Sequence, residues 1–427
     1  MKSNKVRKSL VYSYIDGAFA SVMAGLRDTF VVPFGIALGA VTSQIGILSS
    51  LPNLVASLVQ IKSADVTEKL KSRKKVINVS IFIHALMFLP ILAIPFLLKN
   101  GQIEFLIFFY VLHLSFGNFA APPWGSLMSE YIPSSKRGKF FGFRNKMLGF
   151  ISVASAFLGG FLLNRFQKGN IFIGYAILFF VALGTRLVSW YYLNKMYEPP
   201  FRIEKEARFS FFEFVANIRT SNFTKFVFYA AAMMFCVNIA APFFAVYMLR
   251  DLKMSYLVYT VVTMAGTLTT LLVMDRWGFM ADLFGNIKVL RLCSFFVPFV
   301  PLLWLFSSNT MYLILIQVIA GFFWSGFNIA ISNFIYDAVS PQKRTRCIAY
   351  FNVINGIALS LGAVLGGYAA KFLPPFFGYR LQSLFLLSGI LRLCVAIFSF
   401  GLMEVRTVQK TSGFRLLQET VGFKLRY

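Results

Sequence analysis

Residues 130–160 read EYIPSSKRGKFFGFRNKMLGFISVASAFLGG, and residues 337–367 read DAVSPQKRTRCIAYFNVINGIALSLGAVLGG. Seven positions agree: Glu130 with Asp337, Lys136 with Lys343, Arg137 with Arg344, Asn145 with Asn352, and Gly149, Gly159 and Gly160 with Gly356, Gly366 and Gly367. Each pair is displaced by the same 207 positions (337 − 130 and 367 − 160 alike), while Pro133 and Pro341 slip by one. Such agreement predicts one structural unit written twice. Each copy reads as the acidic end of an apolar helix, a tight basic loop, and a second apolar helix bearing glycines.

Composition names the solvent of those helices. Of 427 residues, 58% are hydrophobic, 17% aromatic and only 14% charged, against roughly 45–50% apolar in a soluble domain. An all-α integral membrane protein is therefore expected, with the lipid bilayer as its first partner. The net charge of +26 does not indicate nucleic acid, because that partner needs basic residues gathered on one solvated face, and here they sit in short loops between apolar runs. Cys236, Cys293, Cys347 and Cys394 lie in apolar segments at spacings that fit no metal motif, so they read as small buried hydrophobes. No metal or other cofactor is expected. No G-x-x-x-x-G-K-[ST] loop is present, which argues against ATP hydrolysis and against an enzyme. The basic start (Lys2, Lys5, Arg7, Lys8) precedes a run holding Asp16, Arg27 and Asp28, unlike the uncharged core of a cleavable signal.

Twelve apolar segments approach the roughly 20 residues needed to cross a bilayer: 13–39, 45–65, 76–98, 104–130, 139–164 and 170–195, then 223–249, 254–276, 287–307, 311–338, 346–372 and 380–403. The expected organisation is an N-terminal six-helix half (1–195), a cytoplasmic linker (196–222), a C-terminal half (223–404) and a basic cytoplasmic tail (405–427). Every second loop is basic, from Lys69–Lys75 and Lys136–Lys139 to Lys288–Arg291 and Lys343–Arg346, and the alternate loops hold few cations. Basic loops resist translocation, so both termini are expected in the cytoplasm, in a plasma or bacterial inner membrane. In the linker, Phe211, Phe214, Val215 and Ile218 recur at helical spacing among Arg202, Lys205, Arg208 and Arg219, which predicts a short amphipathic helix on the membrane face.

These features resemble the major facilitator superfamily of secondary transporters, and the resemblance covers nearly the whole chain. Its sharpest local carrier is Gly278, Asp282 and Gly285 in the pattern G-x-x-x-D-x-x-G, followed by Lys288. The resemblance implies a loop that holds the two halves together in one of the alternating states, with the glycines allowing a tight turn. The first-half version keeps Asp65 but has Ile61 and Glu68 where glycines are expected. Glu130 with Arg137, and Asp337 with Arg344, are expected to form loop ion pairs that break and reform. Helix 5 lacks the Gly-Pro pair of the superfamily's proton-driven drug antiporters, which counts against drug efflux.

Polar groups inside apolar helices are costly and are functional candidates by default. In the first helix, Arg27 could hold an anionic group and Asp28 could titrate; adjacent residues point about 100° apart, so at least one is expected to pair with another helix. In the fourth, His113, Asn118 and Trp124 lie beside Pro122 and Pro123, which should kink the helix and free carbonyls. A histidine changes charge near neutral pH; His84 is the weaker of the two. The resemblance implies that helices 1, 4, 7 and 10 line a cavity, which adds Asn238, Trp324 and Asn328. Arg186 and Arg392 read as snorkelling or paired groups. The reading is a monomeric transporter of a small-molecule substrate, working by alternating access and coupled to an ion, the proton before sodium. Two other classes fit the same scaffold: a non-transporting sensor or receptor, and a flippase for lipids or lysolipids.

Overall fold

The computed structural model describes residues 2–200, 211–216, 221–339, 341–409 and 413–422. Among the described residues, helix is the only regular structure beyond a single bridge between Phe376 and Tyr379. Twelve helices among these residues are long and apolar enough to cross a membrane: α1 (Asn4–Ala37), α2 (Thr42–Leu70), α3 (Arg73–Leu97), α4 (Gln102–Tyr131), α5 (Phe140–Phe166), α6 (Ile171–Lys195), α7 (Asn222–Asp251), α8 (Tyr256–Phe284), α9 (Asn286–Leu303), α10 (Thr310–Ala338), α11 (Cys347–Phe372) and α12 (Arg380–Gly401). Their starts are written locally. Ser72, Asn170, Ser221 and Asn309 accept backbone N–H groups at the first turns of α3, α6, α7 and α10, satisfying donors a helix start otherwise leaves open. Large side chains such as Phe180 and Phe161 stand exposed on the outer faces, as expected where hydrocarbon replaces water.

Helices are broken where proline removes a donor, α3 ahead of Pro90 and α9 at Pro298 as well as α4 and α7. α4 is interrupted at Ala120, ahead of Pro122 and Pro123. Pro123 has no N–H for the Phe119 carbonyl, and the Ser63 hydroxyl of α2 takes that acceptor at 2.6 Å. α7 is interrupted before Pro242 and ends in a π-helical turn, Tyr247–Asp251. α8, in contrast, continues past the expected end at 276: Trp277, Met280, Ala281 and Phe284 are buried and carry the helical period to Phe284. Gly278 is thus a mid-helix residue with open space around it, and the turn falls to Gly285, whose φ of 93° is a conformation that favours glycine.

The chain forms two compact units. Unit 1 comprises 1–204 with the hairpin 242–264, and unit 2 comprises 205–241 with 265–427. In unit 1, α1 packs on α5 and α6, and α2 on α4, around Phe34, Tyr175 and Phe179. The hairpin is bound by hydrogen bonds from the Tyr259 hydroxyl to the Thr29 carbonyl at 3.0 Å and from the Tyr256 N–H to Gln167 Oε1 at 3.2 Å. In unit 2, α7 lies against α11, with Gly366 facing the Ile239 carbonyl so closely that a Cβ would overlap it, the small-residue contact membrane helices use. The core gathers Phe226, Trp277, Phe327 and Phe334.

Two segments differ from the sequence expectation. A helix does form in the linker, Phe211–Ala216, but Phe214 is buried against Phe223 and Tyr350 of unit 2, so this face meets protein and not lipid; Ile218 lies outside the described residues. The C-terminal segment is docked and not simply solvated: it forms the helix Gly413–Val421, and Leu416 is fully buried in the core of unit 2. An apolar side chain at the right helical position outweighs the basic residues around it.

Candidate functional site

Inside unit 1 the helices bring ionisable groups into one chain. Asp16, Arg27 and Asp28 come from α1, His84 from α3, His113 from α4, Arg144 from α5, and Arg186 with Ser189 from α6. At one end the Ser189 hydroxyl donates to Asp16 Oδ1 at 2.6 Å and accepts from Arg186 Nη1 at 2.8 Å. Arg144 lies 3.9 Å from Asp16 Oδ2, donates to the Ser13 carbonyl, and covers the Trp124 ring at 4.8 Å. Arg186 Nε donates to His84 Nδ1 at 3.1 Å. The rings of His84 and His113 stack with centroids 3.8 Å apart, a fit that requires Gly117, where a Cβ would stand 2.9 Å from the His84 ring. His113 Nδ1 donates to the His84 carbonyl at 2.9 Å, and its Nε2 faces Arg27 Nη1 at 3.3 Å. The chain ends where Arg27 Nε donates to Asp28 Oδ1 at 2.7 Å.

The two ends differ in access. The Asp16 side chain is 5% exposed, whereas those of Arg27 and Asp28 are 15% and 59% exposed. Eleven residues separate Asp16 from Arg27, about 16 Å along α1, or about half the roughly 30 Å hydrocarbon core. The bonding also fixes tautomers. An imidazole nitrogen that accepts from a guanidinium carries the lone pair, so the proton of His113 is on Nδ1 and that of His84 on Nε2.

Several sequence expectations find a place here and others do not. Arg27, Asp28 and His113 come together, and Trp124 joins through Arg144. The expectation that Arg27 and Asp28 diverge is corrected: they pair with each other, because the long arginine stem folds back across the 100° between neighbours, and Arg27 still reaches α4. Asn118 lies beyond the chain, half-buried near the α4 break. In unit 2, Asn238 donates to the Met234 carbonyl of its own helix, Trp324 packs edge-on to Phe327, and Asn328 is exposed. Asp16 and Arg144 were not singled out by the sequence reading, and His84 and Arg186 were ranked low. The signal that finds them is joint: five apolar helices each hold an ionisable residue, and such residues compensate one another.

The basic-loop end carries a second set. In unit 1, Glu130 pairs with Arg73 at 2.6 Å and not with Arg137, which instead donates to the Ser129 and Ile132 carbonyls at the end of α4. Free carbonyls one turn away are nearer partners for that guanidinium than the carboxylate. Glu198, just after α6, accepts from the N–H groups of Arg73 and Lys74 and from Ser72. In unit 2, Asp337 Oδ2 accepts from Asn286 and from Arg406, both at 2.6 Å, and Arg406 also reaches Asp282 at 3.3 Å. Partial burial works against the charge of Arg406, and the two carboxylates outweigh it, holding the guanidinium above its ordinary pKa. The Arg344 side chain expected beside Asp337 lies outside the described residues. Glu404, just after α12, accepts from the Ile287 N–H at 2.8 Å, and a Cβ on Gly285 would crowd its carboxylate. Asp65 pairs with Lys62 of its own helix, 3.5 Å away and exposed.

Twelve spanning helices in two six-helix copies define an integral, multi-pass membrane protein. The chain belongs to the Major Facilitator Superfamily, whose sequence profile matches residues 13–274 and 226–422; it is by class a transporter and not an enzyme. Solved structures share the fold. A nucleoside transporter, NupG, superposes with a TM-score of 0.69 at 14% identity, covering 93% of this chain and 100% of its own. A bacterial homolog of the human lysosomal transporter Spinster gives 0.67 at 14%, covering 97% and 98%. A D-xylose-proton symporter gives 0.71 at 12%, covering 94% and 97%. Among curated proteins, none matches the chain significantly.

Proposed function

We propose that this protein is a secondary transporter that moves a small solute bearing an anionic group by alternating access, coupled to protons through the charge chain of unit 1. The observation that carries this reading is the contact of Arg27 with His113 Nε2. A proton arriving on that nitrogen sets two cations head-on, and like charges at such a separation in a low-dielectric interior repel strongly. Arg27 then turns wholly to Asp28 or to an anionic group of the solute. Protonation of His113 and occupancy at Arg27 are thereby linked, and linkage of that kind is reciprocal. His84, stacked on His113, offers the next site toward Arg186, Ser189 and Asp16.

The repeat supports alternating access, since duplicated units with a site near the midplane are the usual architecture of such carriers. The alternation of basic loops with cation-poor ones supports cytoplasmic termini; a plasma or bacterial inner membrane and a single chain as the transporting unit complete the reading.

The test starts with a thermal-shift screen of the purified full chain against nucleosides, sugars, amino acids, organic anions and lysolipids at two pH values, because a ligand that binds only the native state raises the melting temperature. The hit is then followed into proteoliposomes under an imposed pH gradient. Wild-type protein accumulates it severalfold, and His113→Gln still binds it but only equilibrates it. Gradient-driven accumulation by His113→Gln would remove His113 from the coupling.

A further inference from the structure

A second feature of unit 1 takes no part in the charge chain. A cavity of 1010 Å³ lies between α2, α3 and α4 at the basic-loop end, at the upper limit of the usual roughly 300–1,000 Å³ for ligand sites. Its walls are apolar through Val59 of α2, Val79 of α3, and Val111 and Phe116 of α4. Val79 is 61% exposed and Phe82, one turn on, is also exposed, so the mouth opens on an apolar flank. From Phe119 to Val111 the α4 wall runs eight residues, about 12 Å deep.

The polar groups of this cavity are layered. Lys74 and Lys75 stand at the basic-loop end, and neither ammonium pairs with a carboxylate among the described residues. Glu198 also lines the cavity, but its carboxylate is engaged in capping α3. About one turn deeper, Asn78 Oδ1 and Ser115 Oγ are buried and have no hydrogen-bond partner; Ser115 is only 7% exposed. Buried polar atoms are nearly always paired in native proteins, and two residues that line this one cavity each hold an atom that is not, within a side-chain rotation of a ligand lying there.

We propose that this cavity holds an anionic phospholipid of the surrounding bilayer. The sequence of groups along the wall matches the molecule: two lysines for the phosphate, a polar belt for the ester carbonyls, and valines and a phenylalanine for the acyl chain. The Ser115 hydroxyl donates to an ester oxygen, as does Asn78 Nδ2 once its amide has rotated. Basic pockets between membrane helices recognise anionic headgroups by the same electrostatics. The assignment holds for either leaflet and is independent of the transported solute.

The test is native mass spectrometry of the full chain in detergent, titrated with phosphatidylglycerol or phosphatidylcholine of the same acyl composition. The wild type is expected to retain one phosphatidylglycerol most tightly. At about fivefold per lysine, Lys74→Gln with Lys75→Gln should weaken that site about 25-fold, toward the level of phosphatidylcholine. Val79→Trp, at the exposed lip, should evict the lipid while leaving the lysines and the helical circular-dichroism signal in place. Retention within twofold of wild type in either variant overturns the proposal, as does equal retention of the two lipids by the wild type. Proteoliposomes report separately on fate: fluorescent phosphatidylglycerol that crosses the bilayer at a rate lowered by the lysine variant would make the lipid a substrate and overturn a resident site.

Discussion

Arg186 and Arg392 are counterparts in the two copies, 206 positions apart, as are Glu198 and Glu404, and they live in opposite surroundings. Arg186 bonds to His84 and to the serine that serves Asp16. Arg392, fully buried in α12 where Arg186 is half-buried in α6, donates to the Ser388 hydroxyl and the Val237 carbonyl and has no carboxylate beside it among the described residues. The same arginine is one link of an ionisable chain in the first copy and a cross-brace between helices in the second. Duplication supplied the scaffold twice, and charge chemistry was concentrated in one copy.

The most severe way to break this comparison is to remove each arginine. Arg186→Met leaves Asp16 with the Ser189 hydroxyl and the 3.9 Å contact to Arg144 but removes the arginine behind that serine and takes the donor from His84, and losing the compensation of a buried charge costs about 3 kcal/mol. Arg392→Met strands no charge and should fall within about 1 kcal/mol of wild type, by the same logic that makes apolar replacements of buried ions tolerable. Thermal unfolding in detergent reads both, and equal losses would erase the distinction between a chain link and a brace.

The loop carboxylates sharpen the comparison at smaller scale. Glu130→Gln leaves Arg73, 1% exposed, without its carboxylate, and should cost about 2 kcal/mol. Asp337→Asn leaves Arg406 its second partner, Asp282, and should cost about 1 kcal/mol or less. If the order of these two is reversed in melting temperature, the C-terminal segment is a stronger tie than its exposure suggests.

The smallest effect belongs to Arg406→Gln. Its ion pairs are partly exposed, so a loss of about 0.5 kcal/mol is expected, fading in molar salt where the screening length falls to about 3 Å. The Arg73 pair should keep its contribution under the same salt. A salt response shared by both would mean that water reaches the unit 1 pair as well.

The helices were legible because apolar length and loop charge are local properties, and the two copies were legible because repetition is. What escaped was partnership. Glu130 and Arg137 sit seven apart and invite pairing, yet Arg73, 57 residues upstream, holds the carboxylate, and only packing of α3 on α4 decides that. Asp16 reads in the sequence only as a charge that argues against a cleavable signal, because nothing near it explains a buried acid; its explanation lies on α6, 173 residues away. The end of α8 was missed for another reason: Asp275 and Arg276 look like a loop, and the buried side of Trp277 and Met280 shows only once the helix is wound.

The count of helices per copy has a topological consequence. Six crossings return a chain to the side on which it started, so a copied half re-enters the membrane in the same direction as its parent. Its lysines and arginines then fall in loops that already face the right compartment, and the duplicate needs no rewriting to insert. A copy of five or seven helices would arrive inverted and would have to exchange its basic loops for neutral ones before it could sit beside the first. An even number made the fusion of two copies into one gene an event that a membrane could accept at once.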